Sequence, residues 1–396
     1  MAERKRPITN IIEFQNDRRV APLNRLIPSR LREARQATRM TQGDLGGLVG
    51  KTRQAISAFE TGEKSPDPST FTRIVDVLEQ PIPFFVTQPL PVFGEQWPRF
   101  FRKQGPNRLR TNEACDILGR WFVQTSKYCD TYVNFPAVHV LEATPSSLTE
   151  SYGSDEIENI AEASRQRWGL GVGPISNVLA LFESHGILVC RHVIDDERID
   201  AFSFWNGERA FIFMASDKES SVRHRYDLAH ELGHLILHKW VESEELKDPK
   251  ILKRIETEAN IFARAFLLPR QSFPNEIYTS RLEAFIELKK RWKVSIQSMV
   301  YRCLDLEIID EDQFTNLYKQ ISFRKWRTKE PLDDPDVLPL EQPKLLRRAI
   351  ELILKGGRKH PNEVLSDLNF RPTLIENFCN VPRGMLAASE GNSNYG

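Results

Sequence analysis

The chain has 396 residues, a formal net charge of +1 and 40% apolar residues. This length suits two to four domains rather than one small domain, and the balanced charge excludes an overall attraction to nucleic acid or to an anionic membrane. Five scattered cysteines without a Cys-x-x-Cys pair argue against a disulfide framework or a cysteine zinc site. No apolar run approaches the roughly 18 residues of a membrane span. We therefore expect a cytoplasmic protein that does not bind membranes.

The start of the chain predicts an arm followed by a compact helical domain. Residues 1–21 mix charged and polar side chains without a sustained period. The pattern then becomes helical, with Thr41 capping a short second helix and Gly50 turning the chain into a third helix near Thr52. These signals predict a mobile arm over 1–21 and a helix-turn-helix domain over 22–80.

Three segments of this domain, at residues 41–45, 50–56 and 59–62, resemble the lambda-repressor/Cro-like (Xre) DNA-binding domain. The resemblance implies a five-helix module whose recognition helix enters the major groove of double-stranded DNA. In that helix, Arg53 and Gln54 suit guanine and adenine edges. The residues better placed for phosphate or supporting contacts are Gln42, Lys51 and Ser57. The alternative is a module of this type that serves only protein interaction.

Proline-rich sequence ends the first domain, and we assign residues 81–150 to a connecting segment without chemistry. Farther on, the β formers at 186–193 predict a strand. Residues 202–213 predict a hairpin, because Asn206 and Gly207 favour a tight turn. An edge of this small sheet can bind an extended peptide through main-chain hydrogen bonds. The alternative is a structural sheet with a covered edge.

Residues 223–238 predict an amphipathic helix that carries a His-Glu-x-x-His pattern. His230 and His234 are four residues apart, so they lie on one helix face and can bind one metal ion. Glu231 can hold a metal-bound water and act as its general base. Gly233 in mid-helix indicates close approach of another backbone or of substrate. The alternative is a chance match on a core helix with two satisfied histidines.

A second amphipathic helix, which ends at Pro269, offers a third metal ligand as Glu256 or Glu258. Helical spacing alone does not separate these two carboxylates. Asn260 lies one turn after Glu256 and can hold a neighbouring histidine, which favours Glu256 as the ligand and predicts that Glu258→Gln is nearly silent. His238 repeats the four-residue spacing after His234, but the extra turn carries it away from the metal. We therefore expect His238 to give packing or a supporting contact.

Several separate motifs between residues 150 and 320 resemble the ImmA/IrrE zinc endopeptidases. They comprise residues 158–161, 168–175, 200–203, 229–234 and 256–263. The resemblance implies a gluzincin-like metallopeptidase domain in which His230, His234 and a Glu bind Zn²⁺ and Glu231 is catalytic. In that wider group the third ligand precedes an Asp or Asn by four residues, which points to Glu256. Such proteins typically cleave a partner repressor and so switch on stress or mobile-element genes.

Together these patterns predict a mostly α fold with a small β-sheet, of the α+β class. We assign the zinc peptidase domain to 151–275, a helical extension to 276–330, and a linker and C-terminal helical module, for dimerisation or substrate docking, to 331–396. The interpretation is a DNA-binding transcriptional regulator with a zinc endopeptidase that cleaves a protein partner, and a homodimer is compatible with it. One alternative is a transcription factor whose zinc domain is a sensor or scaffold without hydrolysis. Another is an antitoxin-like protein that binds a toxin.

Overall fold

The structure is a computed structural model that describes residues 26–89, 109–145, 151–192, 201–216, 220–242 and 244–387. The predicted arm over 1–21 lies outside the described residues. The chain is mostly helical and contains one three-stranded mixed sheet, which confirms the predicted fold class. Among the helices of the described residues, none combines the length and apolarity needed to cross a bilayer.

Five short helices form the N-terminal region. They are α1 (Pro28–Ala37), α2 (Gln42–Val49), α3 (Arg53–Thr61), α4 (Pro68–Leu78) and α5 (Ile82–Val86). The Thr41 side chain accepts a hydrogen bond from the backbone N–H of Asp44, whose carboxylate bonds back to the Thr41 N–H, so a capping box starts α2. The Thr52 side chain caps α3 by accepting a hydrogen bond from the backbone N–H of Ala55, without a reciprocal side-chain bond. Gly50 lies between them with a φ of 69°, a left-handed conformation that glycine adopts without strain.

In the rest of the described chain, the three strands of the sheet follow one another between helices. These elements are α6 (Leu109–Asp130), α7 (Ser154–Arg167), α8 (Val178–Ser184), β1 (Leu188–His192), β2 (Ala201–Asn206), β3 (Arg209–Ala215), α9 (Ser221–Leu237), α10 (Pro249–Leu267), α11 (Leu282–Trp292), α12 (Ile296–Asp305), α13 (Glu311–Phe323), α14 (Leu345–Lys355), α15 (Pro361–Leu368) and α16 (Pro372–Cys379). The strand order is β1-β3-β2, with β1 parallel and β2 antiparallel to β3. The predicted β2–β3 hairpin is present, but its two turn residues are Gly207 and Glu208, because Asn206 pairs with Arg209 as the last residue of β2. Every residue of β2 is buried, which favours the covered-edge alternative.

Alternation of side chains along the strands gives the sheet two buried faces. One face, with Ile212 and Met214 of β3, packs in a core formed with α7 to α10 and continued by α11 to α13. The opposite face, with Phe202, Phe211 and Phe213, packs in a second core shared with α6, α14 and α16. The sheet therefore lies between α9, which carries the His-Glu-x-x-His pattern, and the C-terminal helices α14 and α16.

The second core continues into the N-terminal helices. The Trp121 ring of α6 packs edge-on against Phe84 of α5, with ring centroids 5.5 Å apart, and tilts against Phe370 at 5.4 Å. The Trp121 Nε1–H also donates to Glu33 Oε1 of α1 at 2.6 Å. The predicted C-terminal module thus packs against both α6 and the N-terminal helices. Its assignment to dimerisation or docking stays a prediction.

Candidate metal centre

Helices α9 and α10 lie side by side at close range, and Gly233 is the reason they can. A Cβ atom at this position would lie 3.2 Å from the Cα of Ala259 and 3.2 Å from Cδ1 of Phe262. Of the two reasons expected for this glycine, the structure shows close approach of another backbone. On its other side α9 is fixed to the sheet, because Trp205 Nε1 donates to the Leu235 carbonyl at 3.2 Å.

This packing brings together His230, His234 and Glu256. The two histidine Nε2 atoms are 3.1 Å apart. Glu256 comes from α10, with Oε2 3.5 Å from Nε2 of His230 and Oε1 3.4 Å from Nε2 of His234. One donor atom from each residue lies within 4.8 Å of the others, and no other group of this kind occurs among the described residues. The three side chains form a candidate metal-binding cluster.

The His230 ring is held from behind by Asn260. Its Nδ1 lies 3.2 Å from Asn260 Oδ1, the histidine contact that the sequence predicted for this amide. The Asn260 Nδ2 group donates to the Glu256 carbonyl at 2.7 Å, and the Tyr226 hydroxyl donates to Asn260 Oδ1 at 2.9 Å. With its proton on Nδ1, His230 presents the Nε2 lone pair to the cluster. Two imidazoles and one carboxylate are a donor set that suits Zn²⁺.

The His234 ring is held by a different pair of side chains, His238 and Glu258. Nδ1 of His234 lies 3.0 Å from Nδ1 of His238, and Nε2 of His238 lies 2.9 Å from Glu258 Oε2. Glu258 is only 4% exposed, and the backbone N–H of Tyr152 donates to its Oε1 at 3.2 Å. The expectation that Glu258→Gln is nearly silent therefore needs correction, because this carboxylate bonds to a neighbour of the cluster.

Burial and hydrogen bonding shift the ionisation of these groups in different directions. Burial alone raises the pKa of Glu256, but hydrogen bonds with His230 and His234 outweigh it and leave that pKa well below its usual range. Burial and the neighbouring His234 place the pKa of His238 well below its ordinary value. Burial raises the pKa of Glu258. The geometry thus combines an anionic Glu256 with a neutral His238 at neutral pH.

Comparisons with known proteins agree with this site. The profile of the IrrE N-terminal-like domain, a peptidase family, matches residues 182–304, and a helix-turn-helix domain profile matches residues 29–82. The chain carries an IrrE N-terminal-like peptidase domain and a helix-turn-helix domain. Both predicted resemblances are confirmed. A comparison with curated proteins found no match.

Within the IrrE N-terminal-like domain, Glu231 follows His230 on α9 and is buried. Its backbone carbonyl accepts a hydrogen bond from the Ser203 hydroxyl of β2 at 3.3 Å, which fixes this turn of α9 against the sheet. The domain and its His-His-Glu cluster together suggest a metallopeptidase. The roles of Glu231 as general base and of Glu256 as ligand stay predictions.

The helix-turn-helix domain implies DNA binding. Arg53 and Gln54 are both exposed at the start of α3, the position from which a recognition helix reads bases. Gln42 instead points inward, since its Nε2 donates to the buried carboxylate of Glu60 at 2.9 Å. A DNA contact by Gln42 would therefore compete with its hydrogen bond to Glu60 for the same side chain.

The two other predicted DNA contacts differ in their surroundings. Lys51 lies at the surface with its Nζ 3.1 Å from Asp67 Oδ2, an exposed ion pair that is worth little and can open for a phosphate. Ser57 is half-buried on α3. Both contacts stay predictions.

The contact of His238 with His234 agrees with the supporting role predicted for it, whereas Glu258 and Tyr152 were missed by sequence reasoning. The four-residue spacing from His234 to His238 was a signal for a supporting contact, but nothing in the spacing on α10 linked Glu258 to it. Tyr152 contributes a backbone N–H, which any residue type except proline offers, and its hydroxyl donates to the Leu237 carbonyl at 2.9 Å. No sequence motif predicts such a contact.

Proposed function

We propose that this protein is a DNA-binding transcriptional regulator whose IrrE N-terminal-like domain is a zinc endopeptidase that cleaves a protein partner such as a repressor. The observation that supports this proposal is that His230 and His234 of α9 lie next to Glu256 of α10. A further side chain contacts Nδ1 of each imidazole. A chance pair of core histidines does not require this support, whereas metal-binding histidines almost always have it.

In peptide hydrolysis, the three cluster residues and Glu231 have different roles. His230, His234 and Glu256 would hold Zn²⁺, which when bound would supply Lewis acidity to lower the pKa of water towards about 7 and to polarise a carbonyl oxygen. Glu231 acts as the general base that accepts a proton from the attacking water and then delivers it to the departing amine nitrogen. A sensor or scaffold would not need a carboxylate at this position, which is why we favour hydrolysis.

The partner is a protein because an endopeptidase cleaves peptide bonds, and the N-terminal domain would bring the chain to DNA, where other DNA-binding proteins are bound. The exposed Arg53 and Gln54 at the start of α3 support base contacts in the major groove. A repressor bound nearby then offers its flexible segments to the peptidase. Cleavage of such a segment separates the repressor's DNA-binding part from the rest and releases the genes it controls.

The test compares cells that express the wild-type protein with cells that express Glu231→Gln. Labelling of new protein N-termini followed by mass spectrometry identifies cuts that depend on Glu231. We expect a small number of such cuts, including one in a DNA-binding protein, and we expect the purified pair to reproduce the cut only when zinc is present. If the purified protein binds zinc but no Glu231-dependent cut occurs, the sensor or scaffold alternative replaces hydrolysis.

A further inference from the structure

Behind His234, two buried side chains form a hydrogen-bonded chain that leads away from the cluster. His234 Nδ1 lies 3.0 Å from His238 Nδ1, and His238 Nε2 lies 2.9 Å from Glu258 Oε2. His234, His238 and Glu258 are all buried, so these bonds form where water cannot replace them. The arrangement links a candidate ligand on α9 to a carboxylate on α10.

The chemistry of the cluster fixes the direction of each hydrogen bond in this chain. If Nε2 of His234 faces the metal, its ring proton is on Nδ1 and must be donated. The Nδ1 of His238 is then the acceptor, so the His238 proton is on Nε2. An ionised carboxylate only accepts hydrogen bonds, and Glu258 lies at that end. One arrangement of protons therefore satisfies both bonds and leaves the His234 lone pair directed at the cluster.

Glu258 is itself held in place from two directions. The backbone N–H of Tyr152 donates to Oε1 at 3.2 Å, and Arg254 Nε lies 3.8 Å from the same oxygen. The Tyr152 hydroxyl donates to the carbonyl of Leu237, the last residue of α9. The stretch before α7 thus ties the end of the metal-ligand helix to the carboxylate that ends the chain of bonds.

We propose that His238 and Glu258 are positioning residues that fix the tautomer and orientation of His234 and increase its basicity as a metal ligand. This inference rests on the zinc site of the proposed function. The two ligand histidines are supported differently, because His230 bonds to the neutral amide of Asn260 whereas His234 is linked to a carboxylate through a second imidazole. Loss of such a supporting contact typically weakens metal affinity by about 10–100-fold.

The test measures zinc dissociation constants by competition with a chromophoric chelator for wild type, Glu258→Gln and His238→Phe. Glu258→Gln keeps the size of the side chain and removes the charge, whereas His238→Phe keeps a planar aromatic ring of somewhat larger size and removes the ring nitrogens. We expect a weakening of about 10–100-fold for His238→Phe and of about tenfold for Glu258→Gln. We also expect a changed visible absorption spectrum of the Co²⁺-substituted protein, since that spectrum reports ligand geometry.

Glu183→Gln is the matched control. Glu183 is also a buried carboxylate, but it lies on α8 and accepts hydrogen bonds from the backbone N–H groups of Lys344 and Leu345. Its loss should lower the melting temperature of the metal-free protein and leave the zinc affinity and the Co²⁺ spectrum unchanged. If Glu258→Gln and His238→Phe behave like this control, their role is only structural and the inference is wrong.

A measurement on the wild type covers the case in which the variants do not fold. In the zinc-loaded protein with ¹⁵N-labelled histidine, NMR should show the His238 proton on Nε2 and the His234 proton on Nδ1. A His238 proton on Nδ1 would break the chain and overturn the inference while zinc binding stands. If the wild-type protein binds no zinc, the proposed function fails, and the positioning role fails with it.

Discussion

Gly233→Ala tests whether the candidate site depends on the close packing of α9 against α10. A Cβ atom there would lie 3.2 Å from the Cα and 3.3 Å from the carbonyl oxygen of Ala259, and 3.2 Å from Cδ1 of Phe262. The Phe262 ring can turn aside, but the Ala259 atoms belong to the backbone. Helix α10 must therefore move by a few tenths of an ångström to admit the methyl group.

Two effects of opposite sign decide the change in stability. Alanine in a helix interior is about 1 kcal/mol more favourable than glycine, whereas overpacking a close interface costs about 1–3 kcal/mol. We therefore expect the free energy of unfolding of Gly233→Ala to fall by about 0–2 kcal/mol. Zinc affinity should fall as well, because Glu256 lies three residues before Ala259 and moves with α10 relative to the histidines.

The assay is chemical denaturation of the metal-free protein together with zinc titration, and Gly47→Ala is its matched control. Gly47 lies within α2, and a Cβ there would meet no atom within 4 Å. The same substitution should then only gain helix propensity and raise the free energy of unfolding by about 0.5–1 kcal/mol. If Gly233→Ala is as stabilising as Gly47→Ala and binds zinc like the wild type, close helix packing is not the reason for the glycine.

Three further outcomes follow from the site, the DNA-binding helix and a buried carboxylate. His230→Ala should lose zinc, whereas Glu231→Gln should keep about one zinc per chain and lose cleavage, as metal analysis and the cleavage assay would show. Arg53→Ala should reduce preference for the cognate DNA site by roughly 1–3 kcal/mol, whereas Lys51→Ala should weaken all sequences alike and flatten the salt dependence of binding. Burial raises the pKa of Glu183 from 4.5 to about 7 against the opposing effect of two backbone hydrogen bonds. The folded protein then keeps a proton that the unfolded chain releases, so this contribution to stability is full below about pH 4.5 and is lost as the pH rises through about 7. Glu183→Gln should flatten the fall in melting temperature across that window.

The parts of the site that follow from helix geometry could be predicted from the sequence. The spacing of His230 and His234 places both imidazoles on one face, and Asn260 reaches a ligand histidine because it lies one turn after Glu256. Helix boundaries with strong caps, such as Thr41, could be predicted for the same reason. The histidine spacing and the caps depend on one segment of chain and its own periodicity, and the Asn260 contact was predicted once Glu256 was taken as the ligand.

The rest depends on how separate elements are rotated against one another, which periodicity within one element does not determine. Glu256 and Glu258 border the same apolar stripe. Because of the rotation of α10 against α9, Glu256 lies at the cluster and Glu258 contacts His238. Likewise, the apolar faces of α14 and α16 predict burial but do not identify what they cover. The structure shows that they cover the phenylalanine-rich face of the sheet.

The core that joins the N-terminal helices to the phenylalanine-rich face of the sheet also sets the orientation of the helix-turn-helix domain relative to the metal cluster. Within that core, Trp121 of α6 contacts Phe84 of α5 and Phe370, so on DNA the recognition helix and the metal cluster would turn together about the duplex axis. B-DNA completes a turn in about 10–10.5 base pairs. Under the proposed function, a repressor on the same duplex would face the cluster at some separations between the two operator sites and would lie on the far side of the double helix about five base pairs later.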